Sequence, residues 1–171
     1  MRLRARIVDP KLKGHARAYV AQAALATVAL LIALSVVDLL ANAVIIAAIG
    51  STAFILFVTP SNVMATPRHV IGGHAVCLAT GAIFFGLVQS STGQSLIDSA
   101  PFLFDLAAAM AVGLGILMMA LTNTEHGPAA GTALGMVVID VTWELMVVFV
   151  ASVVAQAMVH QMLRHRLRDL M

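Results

Sequence analysis

Two stretches decide how this chain is read: Gly50-Ser51-Thr52-Ala53 running to Val58, and His126-Gly127-Pro128-Ala129-Ala130-Gly131-Thr132-Ala133 running to Ile139. Both are apolar, both open with small or hydroxyl-bearing residues, and both are shorter than a membrane crossing. As a helix, the segment 127–139 covers roughly 20 Å of a hydrocarbon core ~30 Å thick. Shortened or broken helices persist in bilayers chiefly where protein shields the backbone, because an unpaired N–H or C=O in hydrocarbon costs several kcal/mol. The pair therefore points to a buried site on a translocation pathway.

Composition agrees. Apolar residues make up 61% of the 171 residues and charged residues 11%, against roughly 25% charged in a soluble domain. The mean hydropathy is +0.99. A net charge of +2 hides a strong asymmetry. Arg2, Arg4, Arg6, Lys11, Lys13 and Arg17 precede the first apolar segment, and Arg164, Arg166 and Arg168 follow the last. Between them Arg68 stands alone against Asp38, Asp98, Asp105, Glu125, Asp140 and Glu144. Basic ends of this kind anchor topology beside anionic headgroups, so the partner they imply is the lipid bilayer and not nucleic acid. Cys77 is the only cysteine, which excludes an internal disulfide.

Six apolar segments follow along the chain. They are 18–37, ending at Asp38; 43–58, interrupted by Gly50-Ser51-Thr52; 70–88, containing Gly72, Gly73 and His74; 102–121, with Asp105 near its start; 127–139; and 145–163. The run from Ala18 to Val37 exceeds the apolar core of a signal peptide, about 7–15 residues, and reads as a retained first helix. The sequence thus predicts an all-α, polytopic transmembrane bundle in one membrane domain. A basic cytoplasmic N-terminus (1–17) is followed by a first half (18–88), a second half (102–163) and a basic cytoplasmic tail (164–171).

Two basic ends on one side require an even number of crossings in a multi-pass inner (plasma) membrane protein. If all six segments cross, the Arg68 loop is inside and the 89–101 loop outside. If the short two are re-entrant, these loops exchange sides. The first arrangement is favoured, because every basic residue then obeys the positive-inside rule. Each half then crosses an odd number of times, so the halves form inverted pseudo-repeats, with Gly50-Ser51-Thr52-Ala53 facing Gly131-Thr132-Ala133-Leu134. Such repeats place binding sites near the midplane where interrupted helices meet.

The chemistry available there suits an anion. A helix starting inside the protein offers unpaired N–H groups and about half a positive charge without a buried lysine. Gly50, Ser51 and Thr52, and Gly127, Gly131 and Thr132, fit that role, with Pro128 at a first helical position. The competing reading is close helix packing, which also accounts for Gly73/Cys77/Gly81 and Ala111/Gly115 at four-residue spacing. His74 and His126 are the remaining candidates, as anion donors, proton carriers or gates, or else as satisfied structural histidines. His69, His160 and His165 lie near segment ends and read as interfacial. Asp105, Asp140 and Glu144 read as helix-start or anchoring residues, Asp140 and Glu144 one helical turn apart around Trp143. If Asp105 or Asp140 lined the path, a proton-coupled carrier would result.

No nucleotide-binding loop, Cys-x-x-Cys or His-Glu-x-x-His occurs, and the ten methionines are scattered, so no catalytic residue, cofactor or metal ligand is expected. A homodimer is compatible with so small a chain.

Pro67-Arg68-His69-Val70-Ile71-Gly72-Gly73-His74, followed by Thr122-Asn123-Thr124-Glu125-His126-Gly127-Pro128-Ala129-Ala130-Gly131-Thr132-Ala133, resembles the HPP family of integral membrane proteins over residues 20–160. Gly127 stands where the first proline of the name motif is expected. The resemblance implies four transmembrane helices and a transporter, with nitrite as a family-level substrate. The resulting expectation is a transporter or channel for a small inorganic anion. A proton-coupled carrier of another solute and a non-transporting assembly or sensor subunit are its alternatives.

Overall fold

The computed structural model describes residues 12–36 and 43–170, with side chains at 14–32 and 43–170. Among these, the chain forms α1 (Leu12–Val36), α2 (Ala43–Val58), a 3₁₀ turn (Val63–Ala65), α3 (Pro67–Gln89), α4 (Ser91–Ser99), α5 (Phe102–Thr122), α6 (Ala129–Val138) and α7 (Trp143–Leu163). Four helices, α1, α3, α5 and α7, are long and apolar enough to cross a membrane. The described chain is an all-α polytopic bundle with two shorter apolar helices, α2 and α6.

Local sequence sets the helix ends. Pro67 occupies the start of α3, where its missing N–H is harmless. The Thr142 hydroxyl accepts the Leu145 N–H at the start of α7. α5 stops at Asn123, whose φ of 52° is left-handed, a conformation that asparagine tolerates better than most residues. α4 falls in the stretch expected to be a loop. Ser90 Oγ accepts the Gly93 N–H at 3.0 Å, and a Cβ on Gly93 would lie 2.0 Å from the Leu87 carbonyl oxygen. No α4 side chain is buried, so the sequence gives this helix no core-facing pattern.

Several expectations need correction. α2 is one continuous helix, and Gly50-Ser51-Thr52 does not interrupt it. Ser51 Oγ donates to the Ala47 carbonyl at 2.7 Å and Thr52 Oγ1 lies 2.9 Å from the Ala48 carbonyl, positions over the preceding turn that a helix accommodates. There is therefore no helix N-terminus at Gly50. α1 begins at Leu12, earlier than expected; position 37, Asp38, Arg2, Arg4, Arg6 and Lys11 lie outside the described residues. Glu144 is in the first turn of α7, but Asp140 precedes the helix, so they share no helical turn. His69 and His160 are buried.

Contacts fix the directions of the helices. Gln22 in α1 donates to the Phe57 carbonyl at the end of α2. Gly131 and Gly135 in α6 lie against Ala48 and Ile45, so α6 runs antiparallel to α2. His74 meets Thr132, and Gly81 meets Met136, making α6 parallel to α3. Arg68 at the start of α3 donates to the Thr122 carbonyl at the end of α5. His160 late in α7 contacts the Pro60 carbonyl before α3. Hence α1, α2, α3, α5, α6 and α7 alternate in direction, with Arg68 on the side of the α1 start and the α7 end, and α4 opposite. The ten residues of α6 span ~15 Å, about half the hydrocarbon core.

Tight packing brings α6 against α3 and α5. A Cβ on Gly81 would sit 2.5 Å from Met136 Cβ, and one on Gly115 would sit 3.0 Å from Cys77 Sγ. The small residues at four-residue spacing thus make close helix contacts. The α5–α6 loop is pushed inward against Gly72 and Gly73, ~9 Å from the start of α3.

Candidate functional site

Where α6 begins inside the bundle, four polar side chains from separate elements converge: Thr52 of α2, His74 of α3, His126 of the α5–α6 loop and Thr132 of α6. None is more than 2% exposed. Thr52 Oγ1 lies 3.0 Å from His74 Nε2 and 3.1 Å from His126 Nε2. His74 Nδ1 lies 2.7 Å from Thr132 Oγ1, and His126 Nδ1 lies 2.9 Å from the Met64 carbonyl oxygen. The imidazole rings are 5.2 Å apart, and Phe149 of α7 closes the far side, edge-on to His74 with ring centroids 5.3 Å apart.

The Met64 carbonyl assigns the protons. A carbonyl only accepts, so His126 carries hydrogen on Nδ1 and, when neutral, accepts at Nε2. Thr52 then donates to His126, His74 donates from Nε2 to Thr52, and Thr132 donates to His74 Nδ1. In the opposite arrangement the Thr52 hydrogen would go to His74, leaving His126 Nε2 facing an oxygen lone pair. One neutral pattern therefore satisfies every group, as burial at this depth requires.

Part of the loop backbone is bonded within the chain as well. Thr124 N–H donates to the Met119 carbonyl at 3.0 Å, and the N–H groups of Ala129, Ala130 and Gly131 donate to the carbonyls of His126, Gly127 and Pro128 at 2.9, 3.2 and 3.1 Å. The first turn of α6 thus uses its own amides. Among the described residues the N–H groups of Glu125, His126 and Gly127 have no acceptor, whereas every hydrogen of the cluster is engaged within the network and serves a solute only by leaving its present partner.

The chain neighbours of the cluster line a separate space. Ala47, Ser51, Gly127, Pro128, Gly131 and Leu134 border a cleft of about 450 Å³ between α2 and α6. Of the residues singled out in the sequence, Thr52, His74, His126 and Thr132 form the cluster, whereas Ser51, Gly127 and Gly131 line the cleft. Gly50 belongs to neither, and a Cβ there would meet nothing within 4 Å.

Sequence reasoning missed the Met64 carbonyl, Phe149 and His69. His69 is 4% exposed; its Nδ1 lies 2.7 Å from Thr66 Oγ1 and its Nε2 3.6 Å from the Glu125 carboxylate. A Thr-x-x-His spacing across the start of α3 was the available signal. Asp105 and Asp140 are exposed and outside the cluster. Among the described residues, no three His, Cys, Asp or Glu side chains are grouped to hold a metal ion.

The family model described as HPP, transmembrane region, matches residues 11–169. A transmembrane protein of Dictyostelium discoideum is 33% identical over 92 residues, covering 53% of this chain and 29% of that protein. A second transmembrane protein of the same organism is 29% identical over 85 residues, covering 50% of this chain and 24% of its own length. The chain thus spans less than a third of the curated relatives it matches. No solved structure is a significant match.

Proposed function

For this chain, which belongs to the HPP transmembrane family, we propose transport of a small inorganic anion across the membrane, with nitrite as the substrate that the family resemblance suggests. The observation that carries the reading is the convergence of Thr52, His74, His126 and Thr132 in one buried hydrogen-bond network within a mainly apolar bundle. Polar groups at membrane depth are costly and concentrate on solute and ion paths. The anion enters by the α2–α6 cleft, and the two hydroxyls and the imidazole N–H groups exchange their bonds within the cluster for bonds to it. These replace part of its hydration shell. With no lysine or arginine in the cluster, binding stays weak enough for release.

The charge pattern supports an orientation. Among the described side chains, Arg17, Arg68, Arg164, Arg166 and Arg168 lie toward the side shared by the α1 start, the α3 start and the α7 end, which we place in the cytoplasm. The two threonines on His74 come from α2 and α6, the corresponding short elements of the two halves, and this favours the inverted-repeat reading.

Flux into proteoliposomes tests the proposal, with protein-free liposomes as the baseline. The expected result is saturable uptake of nitrite, nitrate or formate, reduced in Thr132→Val. Protein that inserts and folds but moves none of the three, at any pH or voltage, contradicts transport and favours a non-transporting membrane subunit.

A further inference from the structure

Thr52 has one hydroxyl hydrogen and three acceptors in reach: His126 Nε2 at 3.1 Å, His74 Nε2 at 3.0 Å and the Ala48 carbonyl oxygen at 2.9 Å. In the neutral pattern the hydrogen points to His126, and the Ala48 carbonyl keeps its bond within α2. That third acceptor gives the network a second complete pattern. If one proton is added to His126 Nε2, the Thr52 hydrogen turns to Ala48, and the Thr52 oxygen accepts from both histidines. Both N–H groups of the His126 imidazolium are then satisfied, by Thr52 and by Met64. An N–H bond forms at His126, no covalent bond breaks, and no heavy atom needs to move.

The same cannot happen at His74. A proton on its Nδ1 would face the Thr132 hydroxyl, whose only hydrogen-bond partner among the described residues is that nitrogen. The displaced Thr132 hydrogen would have no acceptor in place. The two histidines look alike in sequence and differ here because Thr52 has a spare carbonyl and Thr132 has none.

We propose that the cluster is a binding site for a single proton, carried on His126 Nε2 and accommodated by rotation of the Thr52 hydroxyl. Resting on the transport reading above, it follows that the anion travels with one proton, its charge neutralised by the imidazolium it displaces or contacts. The titratable groups facing His126 are few. From α3 come His74 and His69, and, after burial, the electrostatic influence of His69 opposes the charged form of His126. Glu125, its side chain half exposed, is 3.6 Å from His69 Nε2. Neither α2, α6 nor the Val63–Ala65 turn contributes a titratable side chain. On α7 the neighbour of the histidines is Phe149.

The test combines nitrogen NMR of isotopically labelled histidines in full-length protein in lipid nanodiscs with flux in proteoliposomes. Between about pH 8 and about pH 4, a span that takes in both the ordinary histidine range and the lowering that burial imposes on His126, His126 is expected to gain a second N–H while His74 keeps one, on Nε2. Thr52→Ser should retain this titration and Thr52→Val should lose it, with both variants checked for folding by the unchanged signals of the other histidines. Nitrite uptake should bring in one proton per anion, read by an entrapped pH dye, and should not respond to an imposed membrane potential. Protonation of His74 first, or no change at His126 across the range, overturns the proton site. Anion flux without proton movement overturns the coupling and leaves transport standing. The described titration in a protein that moves no anion overturns the transport reading and leaves the proton site standing.

Discussion

Met64 contributes only a backbone carbonyl to the cluster, yet that carbonyl orders the protons on His126, Thr52, His74 and Thr132 in turn. Removing the last donor, in Thr132→Val, leaves His74 Nδ1 buried without its partner and should cost about 1–3 kcal/mol in thermal or denaturant unfolding. Ser51→Ala should cost less than about 0.5 kcal/mol, because the Ser51 hydroxyl is exposed and bonds its own helix at Ala47. Gly73→Ala should destabilise by about 1–3 kcal/mol, since its Cβ would come within 2.8 Å of both His126 Cβ and the Thr124 carbonyl oxygen. At this scale the sequence was informative where polar letters stand out against an apolar background, as for Thr52, His74, His126 and Thr132. It was silent about a carbonyl, which every residue carries, and about Phe149, whose apolar ring looks like ordinary core.

The existence of the six apolar helices was legible and helix interruption was not. Gly50-Ser51-Thr52 looks like a break because glycine and hydroxyl residues compete with helix in water; inside α2 the Ser51 hydroxyl turns back onto Ala47, Thr52 faces the histidines, and the helix continues. α6 was recognisable as short, and its start is built by the loop before it. Asn123 holds that loop's left-handed turn, with φ of 52°. Asn123→Gly should be tolerated, whereas Asn123→Val should cost about 1–2 kcal/mol, measurable as a lower unfolding temperature in detergent. α4 was hidden because nothing on it is buried and the start signal is one serine. Ser90→Ala removes that cap and should cost about 1 kcal/mol locally, read as faster amide exchange over Ser91–Ser99.

Across the whole molecule, the alternating directions of α1, α2, α3, α5, α6 and α7 reconcile six apolar segments with four long helices, because α6 covers only about half the hydrocarbon core. The base of the bundle is held by the returning tail. Gln22 of α1 donates to the Arg168 carbonyl at 2.9 Å, Tyr19 donates to the Leu170 carbonyl at 2.6 Å, and Leu170 N–H donates to the Val58 carbonyl at 2.9 Å. That side carries the described arginines, so single cysteines placed at Arg166 and at Ser95 of α4 should label from opposite sides of the membrane. Labelling of both from one side contradicts the proposed topology. The central claim is that the buried Thr–His cluster lies on the route of a transported anion. It is tested most directly by nitrite flux through wild-type and Thr132→Val protein reconstituted at equal density. The prediction is flux above the liposome baseline for wild type and a drop of about tenfold or more in the variant, the factor expected from ~1.4 kcal/mol of lost stabilisation; equal flux through both folded proteins would contradict it.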